Sequence, residues 1–426
     1  MTVHLDLKQP ERPKLLQIMG PGLITGASDD DPSGIATYSQ VGAQFGYGLG
    51  WTLVVSYPLM AAIQEISARI GRVTGVGIAG NLRKHYPASL LNGIVGLLVL
   101  ANVINIGADL GAMGAALKLL IGGPALAYVS GFAALSILLE VYVRYSRYVS
   151  VLKYLTLSLF AYVATVFVVG VPWGEVARTI VLPPISLDRD YVLAVVAVLG
   201  TTISPYLFFW QAEEEVEEEQ EKPEKSPLLD APRQAPNEFY RIRIDTYAGM
   251  ALSNLVALFI VITTAATLHA HGVTNIQTSS QAAEALRPIA GPFAFALFAA
   301  GIIGTGLLAL PVLAGSAAYA LGEAMGWSVG LAKRAGRAPA FYAAIAVATL
   351  VGAALNFSPI DPIKALFWSA VVNGIVAVPV MVLMMLMTHR DDVMGEFVLP
   401  PVLKVVGWLA TAAMGATVIA LVVTAL

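Results

Sequence analysis

The sequence predicts an all-α polytopic membrane protein with eleven transmembrane helices, arranged as two inverted five-helix repeats followed by one extra helix. Three observations lead there. Hydrophobic residues make up 57% of the 426 and charged residues only 12%, far from the balance of a water-soluble domain. Eleven apolar segments are each long enough to cross about 30 Å of hydrocarbon at roughly 20 residues per crossing. Two of these, the first and the sixth, are interrupted at corresponding places by proline and small or polar residues.

The segments run over 15–46 (broken), 49–71, 90–121, 124–143, 150–171, 190–212 (broken), 245–269, 291–325, 338–356, 363–388 and 402–425. The amino-terminal stretch MTVHLDLKQPERPK lacks the make-up of a removable secretory signal, so the first span is expected to stay in the mature chain. That span breaks at ASDDDPSG, residues 27–34. Pro32 removes a backbone donor and clashes with the preceding turn, so the helix must unwind there. Unwound backbone at membrane depth is tolerated only where it faces protein or a water-filled cavity. An intramembrane carboxylate is costly enough to be read as functional by default.

The sixth segment breaks at LGTTISPYLFFW, residues 199–210, around Ser204 and Pro205. Breaks five segments apart are the spacing of inverted repeats, here about 15–171 and 190–388, with a substrate held where the two breaks meet. Residues 402–425 form the extra helix, and the whole chain, 1–426, reads as one transmembrane domain. The segment 291–325 is long enough to hide a bend or a re-entrant piece. Runs such as AGIIGTGLLALP point to close helix packing through small residues. Residues 213–240, EEEVEEEQEKPEKSPLLDAPRQAPNEFY, are rich in Glu, Pro and Lys and predict a solvated, partly disordered cytoplasmic linker.

With the amino terminus in the cytoplasm, 20 of the 25 Lys and Arg residues fall on the inner side. They include Lys8, Arg12 and Lys14, then Arg69, Arg72, Arg83 and Lys84, and then Arg144, Arg147 and Lys153. The positive-inside rule favours that orientation, and the carboxyl terminus then lies outside. A multi-pass protein of the plasma membrane is expected. The chain has no cysteine, which removes thiol catalysis and thiolate metal sites. No HExxH helix or nucleophile elbow points to an enzyme. The expected partners are divalent cations and the lipid bilayer, with no nucleic acid and no obligate protein partner.

The chemistry of the breaks narrows the substrate. Asp31, the hydroxyls nearby and unpaired carbonyls form a hard oxygen site suited to Mg²⁺, Mn²⁺ or Ca²⁺ more than to Zn²⁺ or Cu⁺. A cation would also compensate the charge of Asp31. His4, His85, His269, His271 and His389 lie in loops or at helix ends and form no site. Glu65 and Glu140 are expected near inner helix ends, paired with arginines. Asp29 or Asp30 would line an outer vestibule or cap the unwound helix, with Asp30 able to reach a hydrated ion through water.

The quoted motifs, together with NIGADLGAMGAAL on the third segment and FSPIDPIKALFWSAVVNGIVAVPVMV on the tenth, resemble the natural resistance-associated macrophage protein (Nramp) divalent-metal transporters. The resemblance implies a LeuT-type architecture with discontinuous helices 1 and 6. The family signature is Asp-Pro-Gly-Asn on the first helix and Ala-x-x-Met-Pro-His on the sixth. Asp31, Pro32 and Pro205 keep it. The asparagine ligand position is Gly34, the methionine position Ser204 and the histidine position Tyr206, while Thr201 stands where the family offers a backbone carbonyl.

Loss of the sulfur removes the main preference for transition metals over Mg²⁺. Glycine and serine also widen the expected pocket, which suits a largely hydrated ion. The pattern is similar to the Nramp-related magnesium transporter branch, which carries Mg²⁺ and Mn²⁺. The metal set implied is Asp31, Gly34, Thr201 and Ser204, with Asp30, Tyr206, Asp109 and Asn373 as outlying candidates. Val371 occupies the place of an expected glutamine. Asp109 is retained, but Ala112 replaces an acid and Tyr206 a histidine, so proton coupling is not expected. No bound cofactor is expected, Mg²⁺ or Mn²⁺ being the transported substrate. The alternatives are a proton-coupled Mn²⁺/Fe²⁺ symporter of the same family and an amino-acid-type organic-solute carrier of the same fold.

Overall fold

A computed structural model describes residues 21–143, 157–222 and 224–425. The expectations for Lys8, Arg12, Lys14, Arg144, Arg147, Lys153 and the start of the first segment lie outside those residues. The helices are α1 (Pro21–Asp29), α2 (Pro32–Phe45), α3 (Gly50–Thr74), α4 (Ile78–His85), α5 (Ala88–Ile121), α6 (Ala125–Tyr142), α7 (Phe160–Val168), α8 (Trp173–Val181), α9 (Arg189–Thr202), α10 (Pro205–Glu221), α11 (Ala235–Thr267), α12 (Ser279–Glu284), α13 (Arg287–Ala290), α14 (Ala294–Met325), α15 (Pro339–Leu355), α16 (Pro362–Met387), α17 (Asp391–Met394) and α18 (Pro401–Ala425).

Each of the eleven expected segments is helical among the described residues. Seven helical stretches are long and apolar enough to cross a bilayer, and α7 with α8, meeting at 112°, makes an eighth. The other three fall short for separate physical reasons. The first is split in two, the second carries Glu65, Arg69 and Arg72 in its last three turns, and the ninth is 17 residues long. Within the segment long enough to hide a bend or a re-entrant piece, Ala294–Met325 form one continuous helix, α14, with Pro311 inside it.

Both breaks fall where proline starts a new helix. Pro32 and Pro205 each occupy a first helical position, where the missing N–H costs nothing. The two halves of the first span are held by one brace, α11. A Cβ on Gly22 would sit 2.6 Å from the Thr246 nitrogen, one on Gly26 2.4 Å from the Gly249 carbonyl, and one on Gly42 2.4 Å from the Val261 carbonyl. Glycine at these positions lets the backbones touch, and dispersion and interhelical bonds then replace the hydrophobic drive that lipid cannot supply. Asp245 of α11 accepts from the Gly22 N–H at 2.6 Å, and Ser253 donates to Asp29 at 2.5 Å. The second break is held in the same way by α16, since a Cβ on Gly200 would stand 2.1 Å from the Ala370 carbonyl.

The predicted linker 213–240 is corrected by the structure. Helix α10 continues to Glu221, and Glu213, Glu215 and Glu219 are buried. The polar run is ordered because Glu215, Glu217, Glu218 and Glu219 meet donors from other helices. Arg72 of α3, itself fully buried, reaches Glu219 at 2.9 Å, Glu238 at 3.3 Å and the Ser226 carbonyl at 2.6 Å. Arg241 of α11 pairs with Glu215 and, at 3.2 Å, with Glu218. Glu217 accepts from Tyr319 and the Leu331 amide. Glu323 of α14 accepts from the Gly77 and Gly80 amides at 2.8 Å each, closing the start of α4.

Glu65 pairs with Arg69 at 2.7 Å, as expected, and lies 3.6 Å from Arg243. Glu140 does not pair with arginine among the described residues. It is buried and accepts from Ser136 at 2.7 Å.

Candidate functional site

The two breaks meet. Asp31 lies between α1 and α2 in extended backbone, φ −70° and ψ 171°, and caps α2. Its Oδ1 accepts from the Gly34 amide and from Ser33 Oγ, each at 2.7 Å. This satisfies amides that any helix start leaves bare. Its Oδ2 accepts from Tyr206 Oη of the second break at 3.2 Å and from Asn105 Nδ2 of α5 at 3.0 Å. Asp31, Thr201, Ser204 and Tyr206 are each at most 2% exposed. The site is closed to solvent in this conformation.

The other residues singled out from the sequence fall at graded distances from that centre. Gly34 contributes its amide, and a Cβ there would stand 3.3 Å from Thr201 Oγ1 and from Tyr38 Cε2. In this closed conformation Thr201 and Tyr38 border the glycine closely. Ser204 Oγ donates back to the Gly200 carbonyl at 2.7 Å and the Thr201 carbonyl at 3.0 Å, which leaves its lone pairs available. Tyr206, expected at the margin, touches Asp31 directly.

Asp29 and Asp30 turn to α11, where both face Ser253 Oγ, at 2.5 and 3.3 Å. Neither caps α2. Asp109 is fully buried within electrostatic reach of Asp31, beside the Ser33 backbone amide. Asn373 is buried on α16 with an unbonded side-chain amide, and it makes no bond to Asp31. His269 Nδ1 lies 2.8 Å from the Ala43 carbonyl and His271 Nδ1 2.5 Å from the Thr267 carbonyl, in keeping with helix-end roles.

Asn105 and Ser369 were not anticipated. Asn105 Oδ1 accepts from Ser369 Oγ of α16 at 2.7 Å, so one amide joins α5, α16 and the first break. A signal was present in the sequence, because Asn105 stands one helical turn before Asp109, on the same face of a largely apolar segment. Its neighbour Asn102, one turn earlier, instead ties α5 to α14 through the Leu313 carbonyl and Ser316.

Electrostatically the centre is one-sided. Asp29, Asp30, Asp31 and Asp109 form no ion pair with Lys, Arg or His among the described residues. No three His, Asp or Glu side chains among those residues converge into a ready-made metal cage. The arrangement is a carboxylate at the crossing of two broken helices, bonded by two hydroxyls, a backbone amide and a side-chain amide, with three further buried acids within electrostatic reach. Toward the carboxyl end of α2, a cavity of about 320 Å³ opens between Gln40, Gln44, Asp190, Lys364 and Trp368.

An all-helical membrane chain with paired discontinuous spans meeting at a buried acid has the architecture of LeuT-type secondary transporters. The chain belongs to the natural resistance-associated macrophage protein (Nramp) family, whose "Natural resistance-associated macrophage protein-like" profile matches residues 22–424. The divalent metal cation transporter MntH of Yersinia pestis (strain Pestoides F) is 28% identical over 311 residues, covering 70% of this chain and 71% of its own. MntH of Klebsiella pneumoniae (strain 342) is 26% identical over 409 residues, 93% of this chain and 91% of its own.

Among solved structures, the manganese transporter of Eremococcus coleocola, bound to an aromatic bis-isothiourea compound, superposes with a TM-score of 0.71 at 18% identity, covering 94% of this chain and 85% of that one. Mhp1, a nucleobase-cation-symport-1 family transporter in a closed conformation, gives 0.58 at 15% identity over 96% and 93%. At such identities these two likenesses speak for the fold.

Proposed function

We propose that the protein carries divalent metal cations, Mg²⁺ and Mn²⁺, across the plasma membrane by alternating access, binding them between the two breaks without coupled proton movement. The observation that carries this reading is a buried group of carboxylates with no ion-pair partner among the described residues, centred on Asp31, which hydroxyls and amides surround. A cation of charge two offsets that charge. Oxygen donors of this kind suit hard ions, and Mg²⁺ keeps several waters when it binds.

Asp31 and Thr201 supply the central oxygens, and Ser204 and the Gly34 region border the ion. Tyr206 and Asp30 reach its waters as the site opens. The divalent metal cation transporters named among its relatives favour the same substrate class. The amino terminus is assigned to the cytoplasm, which puts the Arg72 and Arg241 clusters at the inner seal and the 320 Å³ cavity at the outer mouth.

Tyr206 is bonded to Asp31 as a donor, and a phenol, unlike an imidazole, does not exchange protons near neutrality. This favours uncoupled flux over a proton-coupled Mn²⁺/Fe²⁺ symporter. An organic-solute carrier is disfavoured by the unpaired acids at the break. Uptake of Mn²⁺ into liposomes loaded with a metal-sensitive dye, competed with excess Mg²⁺ or with amino acids, tests the class. Competition by Mg²⁺ alone is expected; inhibition by amino acids with indifference to Mg²⁺ would refute the reading.

A further inference from the structure

Four hydrogen bonds reach Asp31, and the one from Asn105 differs in what it can turn into. Ser33 and Gly34 belong to the same turn as the acid, and Tyr206 presents a hydroxyl. Asn105 presents an amide, with Nδ2 3.0 Å from Asp31 Oδ2 and Oδ1 accepting from Ser369 Oγ at 2.7 Å. Both residues are fully buried, so water serves neither end.

The two ends of an asparagine amide have nearly the same shape but opposite hydrogen-bonding character. Rotation about the bond to the amide carbon therefore replaces N–H donors by an oxygen in the same space. Ser369 tolerates either orientation. Its hydroxyl is also placed to donate to the Leu366 carbonyl at 2.7 Å, and while it does so its lone pairs accept from Nδ2. The flip thus leaves no buried group orphaned on the α16 side, which is the usual obstacle to turning an interior amide. On the Asp31 side the sign of the charge decides. Beside a bare carboxylate the NH₂ end is favoured, whereas beside a carboxylate holding a cation the oxygen end is favoured.

We infer that Asn105 turns its amide when a divalent cation reaches Asp31, so that Oδ1 becomes an ion ligand and Nδ2 passes to Ser369. This rests on the reading of Asp31 as the ion's seat. It gives the site a neutral side-chain oxygen that position 34, a glycine, cannot provide. It also makes α5 and α16 parties to ion binding, since the amide that joins them exchanges partners on loading.

Isothermal titration calorimetry of the purified full chain with Mn²⁺ and with Mg²⁺ tests the inference, comparing wild type with Asp31→Ala, Asn105→Leu and Asn105→Asp. Asn105→Leu removes both amide ends, and binding is expected to weaken about tenfold, which corresponds to about 1.4 kcal/mol. Asn105→Asp keeps only oxygen and is expected to bind at least as tightly as wild type.

If Asn105 serves solely as a donor to Asp31, Asn105→Leu withdraws a bond that favours the unloaded carboxylate and binds the ions as tightly as wild type or more so. That result would overturn the inference. Should Asn105→Leu fail to fold, Asn105→Ala gives the same comparison. Loss of binding in Asp31→Ala with full binding in Asn105→Leu removes the inference and leaves the proposed function standing. Unchanged binding in Asp31→Ala removes the proposed function itself.

Discussion

Asp31 does two jobs, and they are separable by mutation. As the cap of α2 it accepts from the Gly34 amide, and losing a cap costs about 1 kcal/mol. As the proposed seat of the ion it is irreplaceable. Asp31→Ala is therefore expected to leave the protein folded, with a slightly lower melting temperature in detergent, while Mn²⁺ uptake falls to background. Ser204 bears on selectivity instead. Its hydroxyl bonds back to Gly200 and Thr201, so Ser204→Met adds a soft donor at the mouth of α10 and is expected to shift preference from Mg²⁺ toward Mn²⁺ or Cd²⁺. An unchanged order of ion competition would show that position 204 does not face the ion. At this scale the sequence was informative wherever residues sat in a break, because proline and acid are conspicuous in apolar chain. Asn105 left only the faint signal of its spacing to Asp109, and Ser369 left none, because each is an ordinary polar residue inside an uninterrupted helix. Their importance comes from a meeting of segments 264 positions apart.

At the scale of the element, the broken first span is only as well placed as its brace. A Cβ on Gly26 would collide with the Gly249 backbone at 2.4 Å, whereas one on Gly93 would meet nothing within 4 Å. Gly26→Ala is expected to destabilise by about 1–3 kcal/mol, the usual cost of overpacking, with Gly93→Ala neutral. Thermal unfolding of the two variants in the same detergent makes the comparison. The acidic end of α10 gives a second test. Arg72 is fully buried among Glu219, Glu238 and Gln234, and removing one partner of a buried pair costs about 3–5 kcal/mol. Arg72→Ala should unfold at a much lower temperature, and Arg72→Lys should recover only part of the loss because a single ammonium cannot reproduce the guanidinium fork. This is also where sequence reading failed. A run of glutamates counted by composition reads as solvated, but Arg72, Arg241 and the Leu331 amide arrive from distant parts of the chain and turn the run into a packed helix.

For the whole molecule, the positions of the helical segments among the described residues and of both breaks were legible, since length and hydropathy constrain a chain in lipid more tightly than one in water. The closure of the site was not legible, because it depends on how close α11 and α16 come to the breaks. On the proposed reading the ion's seat at Asp31 is shut off from both sides, and transport would require the α10 seal with its ion pairs and the region around α2 to open in turn. A divalent ion entering at −100 mV gains about 4.6 kcal/mol, twice the value for a single charge, so uptake needs no proton gradient and should steepen with membrane potential. The most direct test is flux of Mg²⁺, Mn²⁺ and Ca²⁺ into potential-clamped liposomes with internal pH recorded at the same time, wild type beside Asp31→Ala. The account predicts Mg²⁺ and Mn²⁺ entry at constant internal pH, abolished by the substitution. Undiminished metal entry in Asp31→Ala would contradict the placement of the ion at the crossing of the two broken helices.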